Sequence, residues 1–155
     1  VTAPHVESAP APVETRAAGR LDAAVEALTR LRGVLDNDEL TEQIPVELRQ
    51  LGFTRLLFTR DDGDGRSTPS PEPPADYEHS PRVSVPILLW RTPVGHLHAD
   101  STDVQANDAS VLRMLAEGVG AIFERNLLAD RLRTMYASAR EHARAIGVLS
   151  EAPAM

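Results

Sequence analysis

One stretch limits the possible folds of this chain more than any other. From Asn107 or Asp108 to about Ile146 the sequence reads as helix with no Gly-Pro break. At 1.5 Å per residue, more than ~35 helical residues reach beyond about 50 Å, farther than one small domain can cover. Two stripes share this helix. Leu112, Leu115, Val119 and Ile122, with Phe123 beside them, make a face wide enough to lie on a sheet. Farther on, Leu128, Leu132, Met135, Ala139, His142 or Ala143, and Ile146 follow a near-heptad seam flanked by Arg131, Arg133, Arg140, Glu141 and Arg144. Between the two the phase slips around Asn126, as a stutter does. The first half therefore serves a domain and the second extends past it toward a partner. The other reading is a tail that merely contains leucines.

Upstream, Leu21, Val25, Leu28, Leu31 and Leu35 alternate steps of four and three, a narrow helical stripe running from Ala17 to Leu35. The Asp36–Asp38 run interrupts it and offers an N-cap. A second helical period follows through Leu40, Ile44, Leu48 and Leu51, with Gly52 placed as its C-terminal cap. Pro45 falls inside that helix and is expected to kink or divide it. FTRLLFTR, from Phe53 to Arg60, is rich in strand-forming residues and reads as a first strand. The segment from Asp61 to Pro81 is dominated by Asp, Gly, Ser and Pro, so it is expected to be a long loop with at most a short hairpin strand near Arg66. Its DDGDG lacks the closing glutamate and flanking helices of an EF-hand, which leaves a solvated turn as the simpler reading. RVSVPILLW alternates on two faces, and Pro86 removes one ladder donor, which predicts an edge position or a bulge. RTP is expected to turn this strand into VGHLHAD.

These elements predict a mixed α/β (α+β) fold: an antiparallel sheet against N-terminal helices and a long C-terminal helix. Their bounds divide the chain into a disordered tail over 1–18, a domain over 19–127 with its long loop at 61–81, and a helical extension over 128–150. The opening residues, with prolines among small and acidic side chains, have neither the basic start nor the apolar stretch of a signal peptide. No apolar run approaches the ~18 residues of a membrane span. Absent cysteine excludes disulfides, thiolate metal sites and cysteine nucleophiles, and nothing requires export, so a cytoplasmic location is the expectation. All 16 basic residues are arginine, so lysine Schiff-base chemistry is excluded, and a net charge of −7 argues against direct contact with nucleic acid.

The order helix, helix, Gly-Phe strand, loop, S-V-P-I strand, G-x-L-H-A-D strand and long helix resembles a GAF domain. More narrowly, LRGVLDNDELTEQIPVELRQLGFTRLLFTR, VSVPILLWRTPVGHLHAD and LAEGVGAIFERNLLADRLR are similar to the GAF sensory region that precedes a LuxR-type helix-turn-helix in actinobacterial transcription regulators. The similarity spans about residues 20 to 135. It implies a ligand-sensing, dimerising module, with one sheet face against the first and last helices and the other toward a cavity. Two departures stand out. The Asp61–Pro81 segment is shorter than the lid-forming segment of such domains, and the DNA-reading domain is missing from this sequence, so the chain is expected to be a sensory or dimerisation fragment or a stand-alone remnant of the family.

Candidate site residues follow from both lines. His96, His98 and Asp100 alternate on one strand face, with Gly95, Leu97 and Ala99 on the other. Alternate residues on a strand lie ~6.5 to 7 Å apart, too far for three donors in a row to share one ion, and His79 is the one credible addition, so no metal site is assigned. His96 and His98 instead become candidates for a cavity wall, with Trp90, Arg55 and Arg82 as candidates to bind a planar or anionic ligand of unknown identity. Core packing or a hydrogen bond from His98 to loop backbone is the competing account. Ser84 with a histidine and Asp100 forms no recognisable nucleophile elbow, so no catalytic residue is assigned and the chain is not expected to be an enzyme. Gly118 and Gly120 are expected to permit close helix packing. A homodimer is expected through Leu21, Val25, Leu28, Leu128, Leu132, Met135 and Ala139. The alternatives are a structural dimerisation module without a ligand and, third, a metal-dependent hydrolase built on the histidine face.

Overall fold

A computed structural model describes residues 13–53, 55–62, 66–70, 82–102 and 104–150. The chain order is α1 (Val13–Leu31), α2 (Asn37–Leu48) with a 3-10 turn (Arg49–Leu51), β1 (Leu56–Asp62), β2 (Arg66–Ser70), β3 (Arg82–Leu89), β4 (Thr92–Asp100) and α3 (Ala106–Ser150). The α+β expectation holds, with the strands in one antiparallel sheet ordered β2-β1-β4-β3. Helix α1 opens at Val13, inside the segment expected to be tail; residues 1–12, like the proline-rich 71–81 segment with its His79, lie outside the described residues. The short strand expected near Arg66 is β2.

Local chemistry sets each boundary. The Asp36 carboxylate accepts the backbone N–H groups of Asp38 and Glu39, satisfying two donors that an α-helix N-terminus leaves orphaned. Pro45 does not divide α2; the helix runs on to Leu48, tightens into the 3-10 turn and stops at Gly52, whose φ of 73° is the left-handed conformation glycine adopts without steric penalty. Pro86 sits on β3, which is an edge of the sheet and also carries a bulge between Ile87 and Leu88.

The core lies between the helices and one face of the sheet. Phe58, Ile87 and Leu97 meet Leu28, Leu31, Leu40, Ile44, Leu115, Val119 and Ile122 there. Two glycines let α3 approach: a Cβ at Gly118 would stand 2.6 Å from the Leu28 side chain, and one at Gly120 would collide with the Leu88 carbonyl oxygen. Gly95 is buried on the same face as expected, but what crowds it is β1, since a Cβ there would lie 2.6 Å from the Thr59 carbonyl oxygen and 2.9 Å from the Phe58 ring.

A buried ion pair holds α1 and α3 parallel. Arg20 donates to Asp108 at 2.8 Å with both side chains 5% exposed, donates also to the Gly52 carbonyl at 3.0 Å, and lies 3.9 Å over the Phe53 ring. Asp108 in turn accepts the Gln105 backbone N–H at the start of α3, half of a capping box. At the far end of the domain, Arg125 and Asn126 donate to the Arg32 and Val34 carbonyls of the α1–α2 connection. The phase slip expected at Asn126 thus coincides with a buried amide that ties α3 to that connection. It is the last buried residue of α3 among the described side chains. From Leu127 to Leu149 every side chain but Ala129 is exposed.

Candidate functional site

The sheet face turned away from the helices carries the histidines. On β4, Gly95, Leu97 and Ala99 are buried against the core while His96, His98 and Asp100 alternate with them, half-buried on the opposite face. Register then decides their partners. Leu57 pairs with His98 and Thr59 with His96, so the diagonal neighbours are Thr59 for His98 and Asp61 for His96. The Thr59 hydroxyl lies 2.9 Å from His98 Nε2, and the Asp61 carboxylate lies 3.3 Å from His96 Nδ1. The two imidazoles stack with centroids 5.7 Å apart and planes 17° from parallel. Ser84 and Pro86 of β3 flank them as the cross-strand partners of His98 and His96.

The electrostatics keep His98 neutral near physiological pH. Burial lowers its pKa from the ordinary histidine value, and the Arg82 guanidinium and the neighbouring His96 lower it further, against an opposing pull from Asp61. Asp100 is pulled elsewhere. Its Oδ1 accepts the Thr102 backbone N–H at 3.0 Å and the Thr102 hydroxyl at 2.9 Å, closing an Asx turn as the chain leaves β4, and these bonds, then Arg55, lower its pKa. The in-line His-x-His-x-Asp set is therefore not a ligand set, and a Ser84–His98–Asp100 relay lacks its third member. Among the described residues no group of three His, Asp or Glu side chains is placed to hold a metal ion. A hydrolase built on this face has no support in that geometry.

The other candidates are distributed differently. Arg55 and Arg82 stand at the Asp100 end of the histidine face, where Arg82 pairs with Asp100 across β3 and β4 and the Arg55 carbonyl accepts the Asp100 N–H at 3.3 Å. Trp90 is not a strand residue. It forms a two-residue turn with Arg91, Leu89 pairing with Thr92, so Thr92 and Pro93, expected in the connection, already belong to β4. Both turn residues have positive φ, 46° and 71°, the sign pattern of a type I′ hairpin that ordinarily selects Asn-Gly. Holding Trp and Arg there costs on the order of 1–2 kcal/mol each. An outside bond steadies the turn: the Glu124 carboxylate of α3 accepts the Trp90 backbone N–H at 2.8 Å. Glu124, Thr59 and Asp61 are the contributors that sequence reading missed, because their roles depend on strand register and helix placement rather than on any local motif.

Of the expected dimer contacts, Leu28 is corrected. It is 7% exposed and packs on Gly118 inside the protomer, so it has no side chain to offer a second copy. Leu21, Val25, Leu128, Leu132 and Met135 are all exposed large apolar residues, and Ala139 is exposed on the same extension. Among the described residues no helix is long and apolar enough to cross a membrane. No model of a known protein family matches the sequence, and no curated protein matches it as a relative.

Proposed function

We propose that this chain is a dimerising sensor module of the GAF-like kind, acting in the cytoplasm within transcription regulation, whose histidine face takes a small ligand and whose α3 extension relays the bound state to an effector. The observation that carries the reading is the extension itself. Residues 127–149 run beyond the last buried side chain, and Leu128, Leu132, Met135 and Ile146 are exposed on one seam at helical spacing. Single exposed leucines are ordinary, but a seam repeated at heptad spacing is the pattern of helices that pair.

A parallel pairing of two copies suits the layout. Helix α1 runs beside the first half of α3 in the same direction, Arg20 with Asp108 and Leu28 with Gly118. Leu21 and Val25, four residues apart on α1, are 42% and 49% exposed. In a parallel dimer the two α1 faces stand at one level and can meet; an antiparallel one leaves them in water. The relay has a physical path as well. The β3–β4 hairpin is locked to α3 by Glu124 on the Trp90 N–H and by Gly120 under the Leu88 carbonyl, both just before the extension departs. A shift of β4 on ligand binding would be felt there as a change in helix position.

The test is the mass in solution. Leu132→Glu with Met135→Glu, at residues 62% and 63% exposed within the protomer, leaves the domain core untouched. Light scattering is expected to show a dimer for the native chain and a monomer for the double variant, with unchanged far-ultraviolet dichroism in the sheet region. Equal masses would reject the dimer. A second reading, a dimerisation module without a ligand, is favoured by one observation: His96 and His98 already have hydrogen-bonding partners in Asp61 and Thr59.

A further inference from the structure

We infer that His142 makes the pairing of the α3 extensions sensitive to pH, a regulation that rests on the dimer reading above. Counting the seam as Leu128, Leu132, Met135, Ala139, His142, Ile146 and Leu149 gives unbroken steps of four and three, so the histidine occupies a core position of the heptad and not its flank. The protomer leaves it exposed.

Its ring is already oriented. Nδ1 lies 2.8 Å from the Ser138 carbonyl oxygen, which can only accept, so Nδ1 carries the hydrogen and Nε2 is the free nitrogen. In a parallel two-stranded coil a side chain at such a position packs among four residues of the other helix. For His142 these are the second copy's own Ala139, His142, Ala143 and Ile146. The two alanines leave room for two imidazoles in one layer. No carboxylate on this helix faces them: Arg140, Glu141 and Arg144 lie on its outward positions, and among the described residues the side chains of this turn are exposed. On protonation, two imidazolium charges would be buried opposite each other without a counter-charge.

The second copy is the occupant that the geometry favours. From Leu128 to Leu149 the seam is about 32 Å long and about 10 Å wide on each helix. Two such strips, with the relief of their interdigitating side chains, supply more than half of the ~1,200 Å² at which stable interfaces begin. The flanking positions next to His142 are the small Ala143 and Ala145, so no like charges oppose one another beside the layer.

The sign follows from linkage. The dimer binds fewer protons than two monomers, so association strengthens as pH rises and weakens as it falls, by at most about 100-fold per pH unit for two protons. Sedimentation equilibrium of the whole chain at pH 7.5 and 5.5 is expected to show a dissociation constant at least tenfold higher at pH 5.5. The His142→Leu variant, at a position exposed in the protomer, should pair more tightly and lose most of that dependence. If both chains dimerise with the same pH response, the inference about His142 is overturned while the dimer stands. If both are monomeric at both pH values, the dimer reading itself is overturned, and the inference with it.

Discussion

Gly95 to Ala99 alternate between core and open face because a strand has a period of two, and that much is legible in the residues themselves. The partners of the exposed imidazoles are not, since Thr59 and Asp61 arrive from a strand more than thirty residues away, in a register set by the whole sheet. His98 carries a consequence for stability. Its folded pKa lies below the ordinary value, chiefly through burial. Above about pH 6.5 both folded and unfolded chains keep it neutral, and it makes no difference. As pH falls below that value the unfolded chain takes up the proton first, so folding stability is lost between pH 6.5 and the lowered folded value. The slope of that loss cannot exceed about 1.4 kcal/mol per pH unit, and partial solvation of the ring keeps it below that limit. Urea midpoints at pH 7.5 and 5.0 should show the loss in the native chain and a smaller one in His98→Gln, whose amide still reaches toward Thr59. Identical losses would mean that His98 is not the group responsible.

Elements are joined here by a few polar contacts that no local pattern announces. Arg20 sits on the polar side of an ordinary helical stripe, yet it is buried against Asp108, the Gly52 carbonyl and Phe53, and so gathers α1, the end of the 3-10 turn and the start of α3. Breaking a buried pair from one side leaves an uncompensated charge and costs about 3–5 kcal/mol. Asp108→Ala is therefore expected to lower unfolding free energy on that scale in denaturant titrations, while Arg20→Met combined with Asp108→Leu, which removes both charges, should recover most of it. A single-variant cost below about 1 kcal/mol would show that the pair is solvated in solution. Pro86 is the contrasting case. Its missing N–H directly forbids a central ladder position, so the edge strand and its bulge were predictable from one residue.

At the scale of the molecule, Asn126 is the last buried side chain of α3 among the described residues. Beyond it the side chains of α3 are exposed among the described residues, except for the intermediate Ala129, and an isolated helix of that length is only marginally stable in water. The sensor and the purely structural readings differ in one measurable respect. Selective binding to the folded state raises stability by mass action, about 2.7 kcal/mol at a ligand concentration of 100 Kd. A thermal-shift screen of metabolites, coenzymes and small anions is expected to find one class that raises the transition temperature of the native chain reproducibly, and to find the effect reduced in the variant His96→Ala. A screen in which no class stabilises the chain would favour the structural module.

Periodicity indicated the helices, the strand alternation and the change of stripe along α3, and Pro86 indicated the edge position of β3, because each follows from side chains within a single element. The tertiary structure decided which groups meet. It buried Leu28 on Gly118, drew Asp100 away from the histidines into an Asx turn, placed Trp90 and Arg91 in a strained hairpin turn held by Glu124, and set Thr59 and Asp61 beside the imidazoles. These outcomes depend on distances between segments remote in the chain, and strand register and helix placement fix those distances only when the whole core packs at once.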